Sequence, residues 1–199
     1  MTFINTIAAD DAEGEVKTMY QQLQGKLDYL PNYASVFCYR PQLMGAWSQL
    51  QKTIQHTIEH RRYVLVTLAA AQSINSSYCS LAHGRVLSRK YYNDQQTTAI
   101  AANAADSPLD AADQAMMAFA RKVASDSSST TQKDVDGLRE HGFSDAEIFD
   151  IAATAAARCF FAKISDALGV QPDNTFQAMA SSLKQQLVVG RAIENQQDG

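Results

Sequence analysis

A cysteine and a histidine four residues apart are the pair in this chain best suited to chemistry. They lie in the segment Asn75-Ser76-Ser77-Tyr78-Cys79-Ser80-Leu81-Ala82-His83-Gly84. On a helix, Cys79 and His83 share one face, one turn apart. Asn75, Ser76 and Ser77 are capping residue types, so the spacing predicts a helix from about Ser77 to Lys90 with the thiol in its first turn. There the thiol meets the positive end of the helix dipole and free backbone N–H groups, with an imidazole able to take its proton. These effects favour the thiolate, the nucleophile of peroxide reduction and disulfide exchange, whose first oxidation product is a sulfenic acid. Tyr78 adds a hydroxyl that can donate a hydrogen bond at the site.

The other reactive residue types read as structural. Cys38 between Phe37 and Tyr39, and Cys159 within AARCFFA, read as packing residues. Three widely separated cysteines make no disulfide framework and leave at least one thiol free. His56, Glu59, His60 and His141 lack the spacing of a helical zinc motif, so no metal is expected. His60, Arg61 and Arg62 read as the solvated start of a helix, His141 as a favourable charge near a helix C-terminus, and Trp47 as core.

These residues need a scaffold, and the pattern is helical throughout. Only nine Gly and four Pro occur, with no alternating apolar and polar runs between turn signals. The expected fold class is all-α, a single-domain helical bundle. A first helix is predicted from about Asp10 to Gln24, ended with help from Gly25. Pro41 suits the first turn of another, through Trp47 to about Ile54. The segment from about Glu59 to Ser73 is apolar around most of its circumference and reads as the central, buried helix. Asp110 caps a helix carrying Met116, Phe119, Ala120 and Val123 inward. Thr131 with Asp134, and Ser144 with Glu147, have capping-box spacing, and Gly142 and Gly169 sit where left-handed residues would end helices. A long Ala-rich helix from about Ile148 to Ile164 should pack against the central one. Beyond Pro172, Leu183, Leu187 and Val188 can form one more amphipathic helix, available to rest on another subunit, before a frayed tail of about five residues.

Composition excludes several function classes. The 199 residues, 46% apolar and 19% charged, suit one core. A formal charge of −4 argues against nucleic acid and against a polybasic membrane footprint. The apolar stretches Val64 to Ala71 and Ile151 to Ala162 are interrupted by Thr67, Thr154 and Arg158 and fall short of the ~20 residues a membrane helix needs. The acidic N-terminal segment lacks the basic region of a secretory signal, so a cytoplasmic location is expected.

Tyr78-Cys79-x-x-x-His83 after a buried Ala-rich helix resembles the signature of the alkylhydroperoxidase D-like and carboxymuconolactone decarboxylase superfamily, whose fuller form is an upstream Glu followed by Cys-x-x-Cys-x-x-x-His. The resemblance is collinear over roughly residues 16 to 172 and is closest to the peroxidase-related branch. It takes in Leu23-Gln24-Gly25-Lys26, Leu30-Pro31-Asn32-Tyr33 and Arg40-Pro41. Downstream it takes in Pro108-Leu109-Asp110, Ala118-Phe119-Ala120-Arg121-Lys122, Leu138-Arg139-Glu140-His141-Gly142-Phe143-Ser144-Asp145 and Leu168-Gly169-Val170. It implies an alkylhydroperoxidase D-like domain over residues 1–172, followed by a C-terminal helical extension and tail over 173–199.

Cys79 then matches the second family cysteine and His83 the family histidine. Ser76 stands at the first cysteine and Val64 at the glutamate of the proton relay. Serine cannot resolve a sulfenic acid, so a two-cysteine cycle within the site is excluded. The implied activity is an antioxidant, thiol-dependent reduction of a small hydroperoxide, with Cys79 and His83 catalytic and Tyr78 and Ser76 supporting. It needs no cofactor, and an external thiol or redox partner protein would resolve the oxidised cysteine. The alternatives are a decarboxylase-like lyase, in which His83 moves a proton without help from the thiol, and a catalytically silent structural or interaction protein. The resemblance also implies a homo-oligomer, a trimer or hexamer.

Overall fold

Tyr63 to Ala71 are nine consecutive residues buried on every side of one helix, α3 (His60–Ser73), and the rest of the fold is arranged to enclose them. Around α3 pack α4 (Ser77–Lys90), α6 (Ala111–Asp126) and α8 (Asp145–Ala167). Ala69, Ala70 and Ala71 on α3 and Ala155 and Ala162 on α8 are fully buried, and their small side chains let the axes approach. This is a computed structural model, which describes residues 2–195; among these the chain is helical and contains no strand. α1 (Gly14–Leu27) and α2 (Pro41–Gln55) flank the core, joined through a 3-10 segment at Asn32–Tyr39. No helix among the described residues is long and apolar enough to cross a membrane.

Several helix ends follow the sequence signals. Asp110 accepts from the Asp113 backbone N–H at the start of α6. Thr131 opens α7 (Gln132–Glu140) and Ser144 opens α8, each with a capping box. Gly142 and Gly169 have φ of 88° and 80°, the left-handed conformation their positions require. The N-terminal helix differs from expectation. It starts at Gly14, passes through Gly25, and ends where Asp28 takes φ 64° and donates its N–H to the Gln24 carbonyl. α5 (Asp94–Ala101) was not anticipated, although Asn93 and Gln96 form a capping box ahead of it.

The basic start of α3 is not simply solvated. Glu59 caps the helix by accepting from the backbone N–H groups of Arg61 and Arg62. Both arginine side chains then reach Asp113, at 2.5 and 3.0 Å, whose side chain is 2% exposed. This fixes the beginning of α3 to the beginning of α6.

The C-terminal helix α9 (Ser181–Leu187) rests on its own chain rather than being left for a neighbour. Leu183 and Leu187 are fully buried, and the helix packs on α4 and α5. Gly84 on α4 is the contact point: a Cβ there would lie 2.4 Å from Leu187 Cδ1. The chain then crosses the corner between α3 and α4. There Asn75 has φ 56°, and the Gly190 N–H donates to Ser77 Oγ at 2.7 Å. The fraying expected of the last residues falls mostly at 196–199, outside the described residues.

The two close glycine contacts differ in what can yield. A Cβ on Gly190 would lie 2.0 Å from the Asn75 carbonyl oxygen, which is backbone, whereas at Gly84 it meets only the end of a leucine. Gly190→Ala is therefore expected to cost about 2 kcal/mol or more through overpacking. Gly84→Ala should stay within about 1 kcal/mol, because the helix-propensity gain offsets the leucine's shift. Urea unfolding of the two variants checks this, and equal losses would contradict it.

Candidate functional site

The α3–α4 corner decides where the thiol points. Ser76 occupies the N-cap position of α4 in extended conformation, without a side-chain cap bond, so Cys79 falls in the first helical turn as expected. Its residue is 2% exposed, and it lines a cavity of 220 Å³ bounded by α2, α3, α4 and α8. Five aromatic residues contribute to its walls: Tyr33, Trp47, Tyr63, Tyr78 and Phe161. Gln51, Gln55 and the exposed His60 also border it. A larger groove of 630 Å³ between α1 and α2 is lined by neither cysteine nor histidine.

The decisive residue in the cavity is Arg158, from the middle of α8. It is 4% exposed and forms no ion pair with a carboxylate among the described residues. Its Nη1 donates to Cys79 Sγ at 3.7 Å and its Nη2 to Tyr63 Oη at 3.3 Å. Its guanidinium lies 5.5 Å from the Trp47 ring centroid and 5.8 Å from that of Phe161, within range of cation–π attraction. Burial works against this charge, yet Cys79 and Tyr63 hold its pKa above the ordinary arginine value. A guanidinium on a thiol's sulfur is placed to balance negative charge there.

His83 lines the same cavity one turn beyond Cys79 and stands edge-on to Tyr63, centroids 6.2 Å apart. Its pKa is driven well below 6.5, first by burial and then by the charges of Arg158 and His60. The ring is therefore neutral. No hydrogen bond joins it to Cys79, and its Nδ1 is buried without a partner. The proton-acceptor role expected from spacing thus has no standing contact, and a charged imidazole beside Arg158 would be costly.

The supporting residues are placed otherwise than expected. The Tyr78 ring lines the cavity, but its hydroxyl donates to Asp173. Tyr29 and the Asn32 N–H also donate to that buried carboxylate. Ser76 is fully buried and does not line the cavity; its Oγ has no partner of normal geometry. It lies near Asp166, whose pKa burial raises and this serine moderates. Val64 lines the cavity and brings no acid, and Glu59 is engaged as the α3 cap. Trp47 is both core and cavity wall. All three cysteines are free. The Cys159 sulfur contacts the Ala124 carbonyl at 3.9 Å, and burial pushes its thiol pKa up.

Sequence reasoning missed Arg158 and Tyr63. Arg158 had a signal, a lone charge within an Ala-rich run on a core-facing helix, but it registered only as an interruption of that run. Tyr63 had none beyond its place beside Val64.

No protein-family model and no curated protein sequence matches the chain. Solved structures do. An uncharacterized peroxidase-related protein from Ralstonia eutropha JMP134, described as an alkylhydroperoxidase AhpD core, superposes with a TM-score of 0.78 at 22% identity, covering 89% of this chain and 95% of that one. The fold is that of the alkylhydroperoxidase D core. An uncharacterized peroxidase-related protein from Silicibacter sp. TM1040 gives the same scores and coverage. The debrominase Bmp8, as a cysteine-to-alanine variant in complex with 2,3,4-tribromopyrrole, has a TM-score of 0.74 at 19% identity, covering 94% of this chain and 98% of that one.

The neutral His83 has a consequence for stability. Its native pKa lies well below 6.5, so as pH falls below about 6.5 the unfolded chain takes up a proton that the native state refuses, and stability declines. His83→Gln removes this dependence. Relative to the variant, the wild type is expected to lose about 1 kcal/mol of stability between about pH 7.5 and about pH 5.5. Parallel urea titrations measure it; identical pH dependence would reject a buried neutral ring.

Proposed function

We propose that this protein is a one-cysteine, thiol-dependent reductase of small hydroperoxides. Cys79 is the nucleophile, Arg158 its counter-ion and His83 a neutral polar group facing the substrate. The observation that carries this reading is a buried guanidinium whose acceptors are a thiol and a phenol in place of a carboxylate. A buried cation without an anion is costly, and the sulfur of Cys79 lies where a compensating negative charge is required. The cavity, 220 Å³ with aromatic walls, suits a small apolar substrate.

Resolution of the oxidised cysteine is external. Ser76 carries no thiol, and the sulfur of Cys159 faces α6. Because Cys79 is almost fully enclosed, the reductant is a small-molecule thiol able to enter the cavity in preference to a folded partner's cysteine. The setting is cytoplasmic. The assembly is a homo-oligomer, for which the exposed Leu43, Leu50 and Phe160 on α2 and α8 offer apolar surface.

A second reading uses the same thiol. The structural similarity to a debrominase holding a brominated pyrrole, with the aromatic cavity walls, favours reductive removal of a halogen from a small aromatic ring. In balance, the aryl halide and two thiols give the arene, a disulfide and hydrogen halide.

After mild peroxide, dimedone labelling and peptide mass mapping should place the adduct on Cys79; an unmodified Cys79 with Cys38 or Cys159 oxidised would reject the proposal. Arg158→Gln should slow sulfenate formation about 10- to 100-fold, the worth of one charged hydrogen bond. Cys79→Ser should abolish turnover of cumene hydroperoxide. Retained turnover of a carboxylated lactone in Cys79→Ser would favour the lyase alternative, and a wild type inert to all these substrates would favour a silent scaffold.

A further inference from the structure

We propose that Tyr63 is a catalytic proton donor, delivering its phenolic hydrogen to the oxygen that leaves when Cys79 attacks a hydroperoxide; this rests on the peroxide reading of the site. Cleaving the O–O bond of an alkyl hydroperoxide expels an alkoxide, a strong base that cannot remain charged in an apolar cavity. Some group there must protonate it, and no carboxylate lines the cavity.

The cavity offers few proton donors, and His60 stands only on its exposed rim with Nδ1 engaged by the Tyr91 hydroxyl. His83 is neutral, and a neutral imidazole is too weak an acid. Tyr78 already donates to Asp173. Tyr33 also reaches the cavity, but burial, with Asp173 next, pushes its phenol well above the ordinary value. Tyr63 differs from both. Its residue is 4% exposed, and its oxygen accepts from Arg158 Nη2 at 3.3 Å and from Gln51 Nε2 at 3.5 Å. A phenol oxygen has two lone pairs and one hydrogen. In both contacts the oxygen accepts, and no acceptor among the described residues receives the hydrogen, which is free for a substrate in the cavity that Tyr63 lines.

Arg158 makes this pairing productive. One planar fork holds the sulfur on Nη1 and the phenol oxygen on Nη2, so nucleophile and proton donor face the same end of the cavity. The Cys79 thiolate attacks the distal oxygen of ROOH, forming the S–O bond as the O–O bond breaks. The OH group stays on sulfur as the sulfenic acid. The departing RO⁻ takes the Tyr63 proton and leaves as ROH. Negative charge passes from sulfur to phenolate without leaving the guanidinium, a preorganised stabiliser that need not move during reaction. The phenolate regains its proton from solvent. One external thiol then forms a mixed disulfide with Cys79 and releases water, and a second frees the Cys79 thiol and leaves as the disulfide.

The test varies the leaving group. Cumene hydroperoxide expels an alkoxide, whereas peroxybenzoic acid expels benzoate, which needs no proton. Pre-reduced full-length protein is mixed with each oxidant, at a pH where the peracid is protonated, and sulfenate at Cys79 is timed by dimedone trapping and mass spectrometry. Tyr63→Phe should be slowed about 100-fold with cumene hydroperoxide and less than about threefold with peroxybenzoic acid, in a variant whose circular dichroism and urea unfolding match the wild type and so show that it is folded. In the wild type, deuterated water should slow the first reaction and not the second, a readout independent of any variant. Equal slowing of Tyr63→Phe with both oxidants, with no isotope difference in the wild type, would overturn the proton-donor role and leave the thiol reading standing. A wild-type Cys79 that reacts with neither oxidant would remove both.

Discussion

A guanidinium buried without a carboxylate is the constraint to which the rest of the site answers. Desolvating an ion costs several kcal/mol even after a protein relaxes around it, and here the compensation comes from a cysteine sulfur, a tyrosine oxygen and two aromatic faces in place of a carboxylate. Any anion that forms in the cavity is therefore stabilised before other groups are considered, and any second cation is opposed. Burial first, and this charge second, hold His83 neutral.

The contrast with α3 shows that the unpaired state belongs to this cavity and not to the chain's general habit. Arg61 and Arg62 converge on Asp113 and are neutralised at the helix entrance. A carboxylate at Val64, on the same helix, would do the same for the cavity. Valine there keeps the wall apolar. The corner carrying Cys79 is meanwhile held from behind: Leu187 packs against Gly84, and Gly190 binds Ser77 while fitting under the Asn75 carbonyl. The C-terminal segment thus fixes the thiol relative to Arg158, although it contributes nothing to the cavity wall.

Local signals carried much of this architecture. The limits of α4, the burial of α3, and the caps at Asp110, Thr131 and Ser144 could be read because each depends on residues within a few positions of one another. Cys79 and His83 were legible for the same reason. Contacts between distant segments were not. Arg158 and Cys79 are 79 positions apart and Tyr78 and Asp173 are 95 apart; no periodicity predicts that the first pair meets, or that the second turns a presumed site hydroxyl away. The likeness in sequence pattern led to Val64 and left the functional group at Tyr63 unnoticed, one residue away. α5 shows a weaker limit: its Asn93 and Gln96 cap was readable, but only eight residues follow, too few for a clear apolar stripe.

The peroxide and halogen readings of the cavity converge on one physical demand. In each, a soft nucleophile displaces a fragment that departs with an electron pair. Water is the usual source of neutralising protons, but this cavity is small and five aromatic residues line it, so few waters can share it with a substrate. The protein must then either protonate the fragment itself or stabilise it as an anion. Arg158 answers the second need for any leaving group, because charge stabilisation requires no particular acid strength. The first need is selective: an alkoxide or an aryl carbanion is basic enough to take a proton from a phenol, whereas a carboxylate or halide is not. On these proposed readings, substrate preference in this chain follows from which protic group shares Arg158 with the thiol, as much as from cavity shape. On the proposed reading, with no acid at Val64, the phenol at Tyr63 widens that choice to substrates whose departing fragment is strongly basic, while Arg158 alone suffices for weakly basic ones.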